Sequence, residues 1–146
     1  MLNNIPRIIS PDLLKYLSEM GHGDELILVD ANYPSYTCGV QHVVRADGTG
    51  AEEMLDAILS IFPVDTFVKT PVTCMQVVPG DNYTPVIFDS FKKVLKKHGV
   101  DESNMVWVER FHFYELASKA YCLVATGELQ RYANIILKKG LVEQEK

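Results

Sequence analysis

The chain has 146 residues, 47% of them hydrophobic and 23% charged, which is enough apolar material for one buried core and reads as a single domain over residues 1–146. Nineteen acidic residues face fourteen basic ones, a net charge of −5 with no basic stripe, so no nucleic-acid partner is expected. Cys38, Cys74 and Cys122 are odd in number and widely separated, which excludes a disulfide framework and suits a reducing cytosol, and neither a signal-peptide pattern nor a bilayer-length apolar run is visible.

The first helix starts at Ser10, a hydroxyl N-cap, with Pro11 at its first position; Leu13, Leu14 and Leu17 form its apolar face and Gly21 is its stop. His22 follows between Gly21 and Gly23. Leu26 to Val29 is a short apolar run that suits a buried strand, and Asp30 closes it. Residues 31–39 have turn chemistry and two aromatics, Tyr33 and Tyr36, and read as a loop over a site, too polar for core. His42 to Arg45 is β-like and ends in Ala46-Asp47-Gly48. Thr49 and Glu52 have the spacing of a capping box for a second helix, whose apolar positions are Met54, Leu55, Ile58, Leu59 and Phe62, closed by Pro63.

Val72 to Val78 is a strand stopped by Pro79-Gly80. A third helix runs from Thr84, with Pro85 at its first position, to Gly99; Lys92, Lys93, Lys96 and Lys97 in its last turns form a solvated face. Met105 to Val108 is a strand, a short helix passes through Phe113, Tyr114, Leu116 and Ala117, and Tyr121 to Thr126 is a strand. A polar loop over residues 127–132 leads to a last strand, Asn134 to Leu137, and a frayed tail, residues 141–146. Strands alternating with helices predict an α/β fold, a three-layer sandwich with a mostly parallel, partly mixed central sheet.

No dinucleotide, nucleoside-triphosphate or serine-hydrolase signature is present. The polar residues at element ends are His22, Asp30, Arg45, Asp47, Arg110, Tyr114, Tyr132 and Asn134. Arg45 and Asp47 read most simply as a local ion pair or turn. Together the set mixes acids, bases and neutral hydrogen-bonding groups with aromatic rings, which suits a polyhydroxylated ligand such as a sugar. His22, His42, His112 and Cys38 match no metal-ligand spacing, so no metal is expected.

Several segments carry a family resemblance: residues 9–14, Glu19-Met20-Gly21-His22-Gly23-Asp24-Glu25, Asp30-Ala31, Val44-Arg45-Ala46-Asp47-Gly48, Arg110-Phe111 with Phe113-Tyr114-Glu115, Thr126-Gly127-Glu128, and residues 132–140. In order and coverage they resemble the L-fucose mutarotases and D-ribose pyranases, closest to the fucose branch. The resemblance implies an isomerase without cofactor or metal that exchanges the anomers of L-fucose by acid/base-assisted ring opening. It implies His22 as the catalytic acid and Asp30, Arg110, Tyr114, Tyr132, Ala133 and Asn134 as sugar-binding positions, Ala133 through its backbone alone. The ribose branch carries histidine at the place of Tyr114, so tyrosine there speaks for fucose. The chain departs from the fucose branch at Asn32 and Tyr36, where other members carry histidine, and this bears on sugar selectivity. The alternatives are a D-ribose pyranase and a non-catalytic sugar-binding or transport-accessory protein; an ionisable group at position 22 separates catalyst from binder.

One geometric difficulty stands out. An extended Leu26 to Val29 spans roughly 13 Å at ~3.3 Å per residue, with His22 and Asp30 beyond opposite ends. Either the glycine linker doubles back, or one site draws residues from two subunits. The resemblance favours the second, because it implies ring-shaped homo-oligomers, decamers of two pentamers, with sites near subunit contacts.

Overall fold

The strands are continuous apolar runs because both of their faces are covered. The computed structural model describes residues 1–144. In it β1 (Glu25–Val29) sends Leu26 and Leu28 to one face of the sheet and Ile27 and Val29 to the other, all fully buried. β5 (Cys122–Thr126) and β6 (Ile135–Lys138) alternate alike, with Cys122, Val124, Ile135 and Leu137 on the first face and Leu123, Ala125 and Ile136 on the second.

With β2 (His42–Ala46), β3 (Val72–Met75) and β4 (Met105–Val108), these strands form a six-stranded sheet of order β2-β5-β1-β6-β3-β4. β2, β5 and β1 run parallel, as do β3 and β4, while β6 is antiparallel to both of its neighbours. The expected α/β sandwich with a mostly parallel, partly mixed sheet is the fold observed. Three helices cover the first face: α1 (Pro11–Glu19) through Leu13 and Leu17, α2 (Ala51–Leu59) through Met54, Leu55 and Ile58, and α3 (Ile87–Lys97) through Phe91 and Leu95. The second face carries α4 (Arg110–Ala117), through Phe113 and Ala117, and the segment after β1, through Tyr33.

Several local expectations are corrected. Ser10 does cap α1, its Oγ accepting from Leu13 N at 3.2 Å, but the helix ends on an extended Met20 rather than on a left-handed Gly21. Gly23 is the residue with positive φ, +87°. The Thr49–Glu52 capping box does not form. The N-cap is Gly50, without a side-chain cap, and the Glu128 carboxylate, 77 positions away, accepts from Ala51 N at 3.2 Å. α3 begins at Ile87, since Pro85 and Val86 form a preceding tight turn, with Phe88 N donating to Pro85 O and Asp89 N to Val86 O. It ends as read, at Gly99 (φ +79°), with Val100 N donating to Leu95 O and Gly99 N to Lys96 O, a Schellman closure. β3 is shorter than its apolar run, and Tyr33, placed in a polar loop by the sequence, is buried under α4. Of the tail, residues 141–144 form no helix or strand, and the rest lies outside the described residues.

The antiparallel β6 sets up the functional geometry. Its start lies beside the end of β1 and its end beside the start of β1. Each end of this strand pair therefore gathers loops from distant parts of the chain.

Candidate functional site

At the start of β1 the glycine linker does not double back. Gly23 N donates to Lys139 O and Lys139 N to Asp24 O, both at 2.8 Å, so the ladder with β6 continues past the strand. His22 stands at the tip of that extension. Its Nε2 lies 3.0 Å from Asp65 Oδ1, and its ring packs at 5.1 Å from the Phe67 ring. Asp65 Oδ1 also accepts from Phe67 N at 3.0 Å, and Asp65 N donates to Lys138 O at 2.9 Å. Burial works against the Asp65 charge, yet the hydrogen bonds from Phe67 N–H and His22, reinforced by a protonated His22 and by Lys138, hold its carboxyl below the usual carboxylate range. Lys139 Nζ donates to the carbonyls of Leu17 and Met20 and so ties the end of α1 to the same corner.

The other sequence-derived residues lie at the opposite end. Asp30 N donates to Asn134 Oδ1 at 3.1 Å, and Asp30 Oδ1 accepts from Asn32 N at 2.9 Å. Burial pushes the Asp30 carboxyl above its ordinary range, outweighing these hydrogen bonds. Ala133 is fully buried with its methyl in the core, so it offers no side chain to a ligand. Tyr132 holds a left-handed φ of +66°, a conformation costing about 1–3 kcal/mol for a residue with a side chain and one that gathers at functional sites. Its hydroxyl donates to Asp81 Oδ2 at 2.6 Å and accepts from Val78 N at 3.3 Å. Arg110, the first residue of α4, places Nε 3.3 Å from Tyr114 Oη, and Tyr114 packs edge-on against Tyr33. Asp30, Arg110, Tyr114, Tyr132, Ala133 and Asn134 thus share one end of the sheet, and His22 is not among them. The extended path from Gly23 to Asp30 is roughly 23 Å at ~3.3 Å per residue.

Beside Asp30 lies a depression of about 380 Å³, lined also by Tyr33, Tyr36, Arg45, Thr126 and Leu129. On its rim Arg45 and Asp47 make the local pair expected of them, Nε to Oδ1 at 2.8 Å and Nη2 to Oδ2 at 3.0 Å. A larger groove of about 670 Å³ between α2 and α3 holds none of the candidate residues, and ion pairs such as Lys97–Asp56 at 2.9 Å occupy its walls. Size alone does not select the site; convergent polar groups do.

Residues 3–142 match the RbsD / FucU transport protein family. The chain belongs to this family. It is 45% identical over 141 residues to the L-fucose mutarotase of Actinobacillus pleuropneumoniae serotype 5b (strain L20), covering 97% of each chain. The fucose mutarotase of Streptococcus pneumoniae, solved in complex with L-fucose, superimposes with a TM-score of 0.93 at 48% identity, covering 97% of this chain and 100% of that one. Bacillus subtilis RbsD, solved with D-ribose, matches with a TM-score of 0.72 at 18% identity over 92% of this chain and 95% of its own, a likeness of fold alone.

Family membership leaves three groups that the sequence reading missed: Asp65 against His22, Asp81 against Tyr132, and the buried Tyr33 hydroxyl, which has no hydrogen-bond partner among the described residues. Asp65 and Asp81 lie 43 and 51 positions from their partners, in stretches with no periodic signal of their own. Nothing local marks them.

Proposed function

We propose that the chain interconverts the α and β anomers of L-fucose, as an isomerase of the racemase/epimerase type. The observation that carries this reading is the similarity to an L-fucose mutarotase across 97% of both chains. The reaction opens a hemiacetal: the ring oxygen gains a proton, the anomeric hydroxyl loses one, and the aldehyde rotates and closes on its other face. Proton transfer at fixed positions suffices for it. We assign that transfer to His22, a side chain suited to work near neutrality. Asp30, Arg110, Tyr114, Tyr132 and Asn134 bind the sugar hydroxyls, with Ala133 contributing its backbone, and the tyrosine rings lie against sugar C–H faces. The Asp30 carboxyl, pushed above its ordinary range by burial, offers its oxygens to sugar hydroxyls as acceptors.

The separation of His22 from the rest supports a shared site. A head-to-tail contact would set the His22 end of one subunit on the Asp30 end of the next, and repetition of such a heterologous contact closes a ring. Each end carries exposed apolar surface to bury there, Phe67 beside His22, and Phe111 and Leu129 at the far end. From the family resemblance we infer that two such pentameric rings form a homodecamer. We assign it to the cytosol, a reading that the free thiols of Cys38, Cys74 and Cys122 support.

Magnetisation-exchange NMR on α- and β-L-fucose tests the activity, with exchange expected to persist after treatment with a chelator. Absence of acceleration at any protein concentration would refute it. Co-refolding His22→Ala with Asp30→Asn tests the shared site. At sugar concentrations well below the wild-type KM both variants alone are expected to lose most of their activity, and a random mixture should carry intact sites at about one quarter of its interfaces. No recovery in mixed rings would place the whole site within one subunit.

A further inference from the structure

We infer that Asp65 is a positioning residue for His22 and makes Nδ1 the ring nitrogen that exchanges a proton with the sugar. The inference rests on the reading of His22 as the proton-transfer group. His22 lies on a loop between two glycines, one at φ +87°, so the local backbone does little to orient the ring. Orientation comes from across the chain. One edge of the imidazole meets Asp65, while 39% of the side chain stays exposed.

The Asp65 carboxylate is itself fixed. Its side chain is 3% exposed, its Oδ1 is shared with Phe67 N, and its backbone is paired with Lys138. Behind it Gly140 N donates to Pro63 O, and a Cβ on Gly140 would come within 2.7 Å of Val64 O, so the strand and the segment over residues 63–65 are in close contact. Of the other charged groups at this corner, Asp24 accepts from Gly21 N, Lys139 donates to Leu17 and Met20, and Lys138 places its positive charge near Asp65. The pairing of His98 with Asp56 is a useful contrast. It is short, at 2.6 Å, but Asp56 is 39% exposed and shared with Lys97, so that carboxylate stays solvated.

An ionised carboxylate accepts hydrogen bonds and donates none. Asp65 therefore selects the tautomer with hydrogen on Nε2, and the lone pair of the neutral ring sits on Nδ1. When His22 takes a proton from a sugar hydroxyl, the proton binds Nδ1 and the cation forms against Asp65, which keeps its charge. When His22 returns a proton to the sugar, it leaves from Nδ1, and the Nε2 hydrogen stays in place throughout.

Long-range ¹H–¹⁵N spectra of the labelled wild-type protein, with the His22 signals assigned by comparison with His22→Gln, test this without sugar or turnover. The neutral ring is expected to show a protonated Nε2 and an unprotonated Nδ1; the opposite tautomer would overturn the inference whatever the activity proves to be. Asp65→Asn, whose amide can donate, should move His22 toward the Nδ1–H tautomer and lower kcat about 10- to 100-fold with KM nearly unchanged. A folded Asp65→Asn protein with wild-type kcat, or with a loss confined to KM, would also overturn it. Wild-type exchange in His22→Ala would instead remove the underlying reading, while the spectra would still report the tautomer.

Discussion

Asp65 and Asp30 lie at opposite ends of the β1–β6 pair and are buried to nearly the same degree, 4% and 7% exposed, yet their acidities move in opposite directions. Burial disfavours the charge on both. Asp65 offsets it with a backbone N–H, a histidine ring and the nearby Lys138, and stays ionised easily. Asp30 has only neutral donors around it, from Asn32 and Asn134 among others, and burial wins. The balance between burial and the hydrogen bonds a carboxyl accepts decides which form it prefers, and the charges of His22 and Lys138 add to that balance at Asp65. One end of the strand pair holds a fixed anion against a histidine; the other holds a carboxyl whose burial works against its charge.

The largest effect should come from breaking the His22 end. His22→Ala is expected to cut anomer exchange about 10²- to 10⁴-fold, read by NMR, with the circular dichroism spectrum unchanged because the side chain sits on an exposed loop. At the Asp30 end the expected loss is of binding. Alanine at Arg110, Tyr132 or Asn134 should weaken sugar affinity by about 1–3 kcal/mol through an unpaired hydroxyl, measured by calorimetric titration. Wild-type affinity in all three would dissolve the contrast between a chemical end and a binding end.

pH sharpens the comparison in a different way. The folded pKa of Asp65 lies below its unfolded value, so its stabilising contribution is present above the ordinary carboxylate range and is lost as pH falls through the folded value. Asp30 behaves in reverse: its contribution is fully present below the unfolded pKa and is lost as pH rises through the raised folded value. Urea melts of Asp65→Asn and Asp30→Asn against wild type should therefore give stability differences of opposite slope between the acid range and neutrality. Parallel slopes would mean that the two carboxyls share one environment.

Smaller effects are expected where polarity is merely left over or exposed. Tyr33→Phe removes a buried hydroxyl without a partner among the described residues and should stabilise the protein by about 1 kcal/mol in thermal melts. Arg45→Ala breaks a pair whose side chains are more than half exposed, and its cost to stability should stay under about 1 kcal/mol.

Structure carried by neighbours in sequence was legible without coordinates. The apolar runs of β1 and β5, the Ser10 cap, the Gly99 stop and the Arg45–Asp47 pair each depend on residues a few positions apart, where composition and period act directly. Polar residues at element ends marked His22 and the sugar-end residues as candidates, the resemblance supplied their roles, and the length of β1 posed the choice between a linker that doubles back and a site split by the strand, which the pairing of Gly23 and Asp24 with Lys139 decides. Tertiary structure decided the rest. Insertion of β6 antiparallel between β1 and β3 brings Asn134 to Asp30 and Lys138 to the back of Asp65. Glu128 replaces the local capping box of α2 because a charged acceptor from the end of β5 reaches its first N–H. Asp65 finds His22 for the same reason: a partner dozens of positions away leaves no periodic trace in the chain, and only the packing of loops at a sheet end determines whether two such side chains meet.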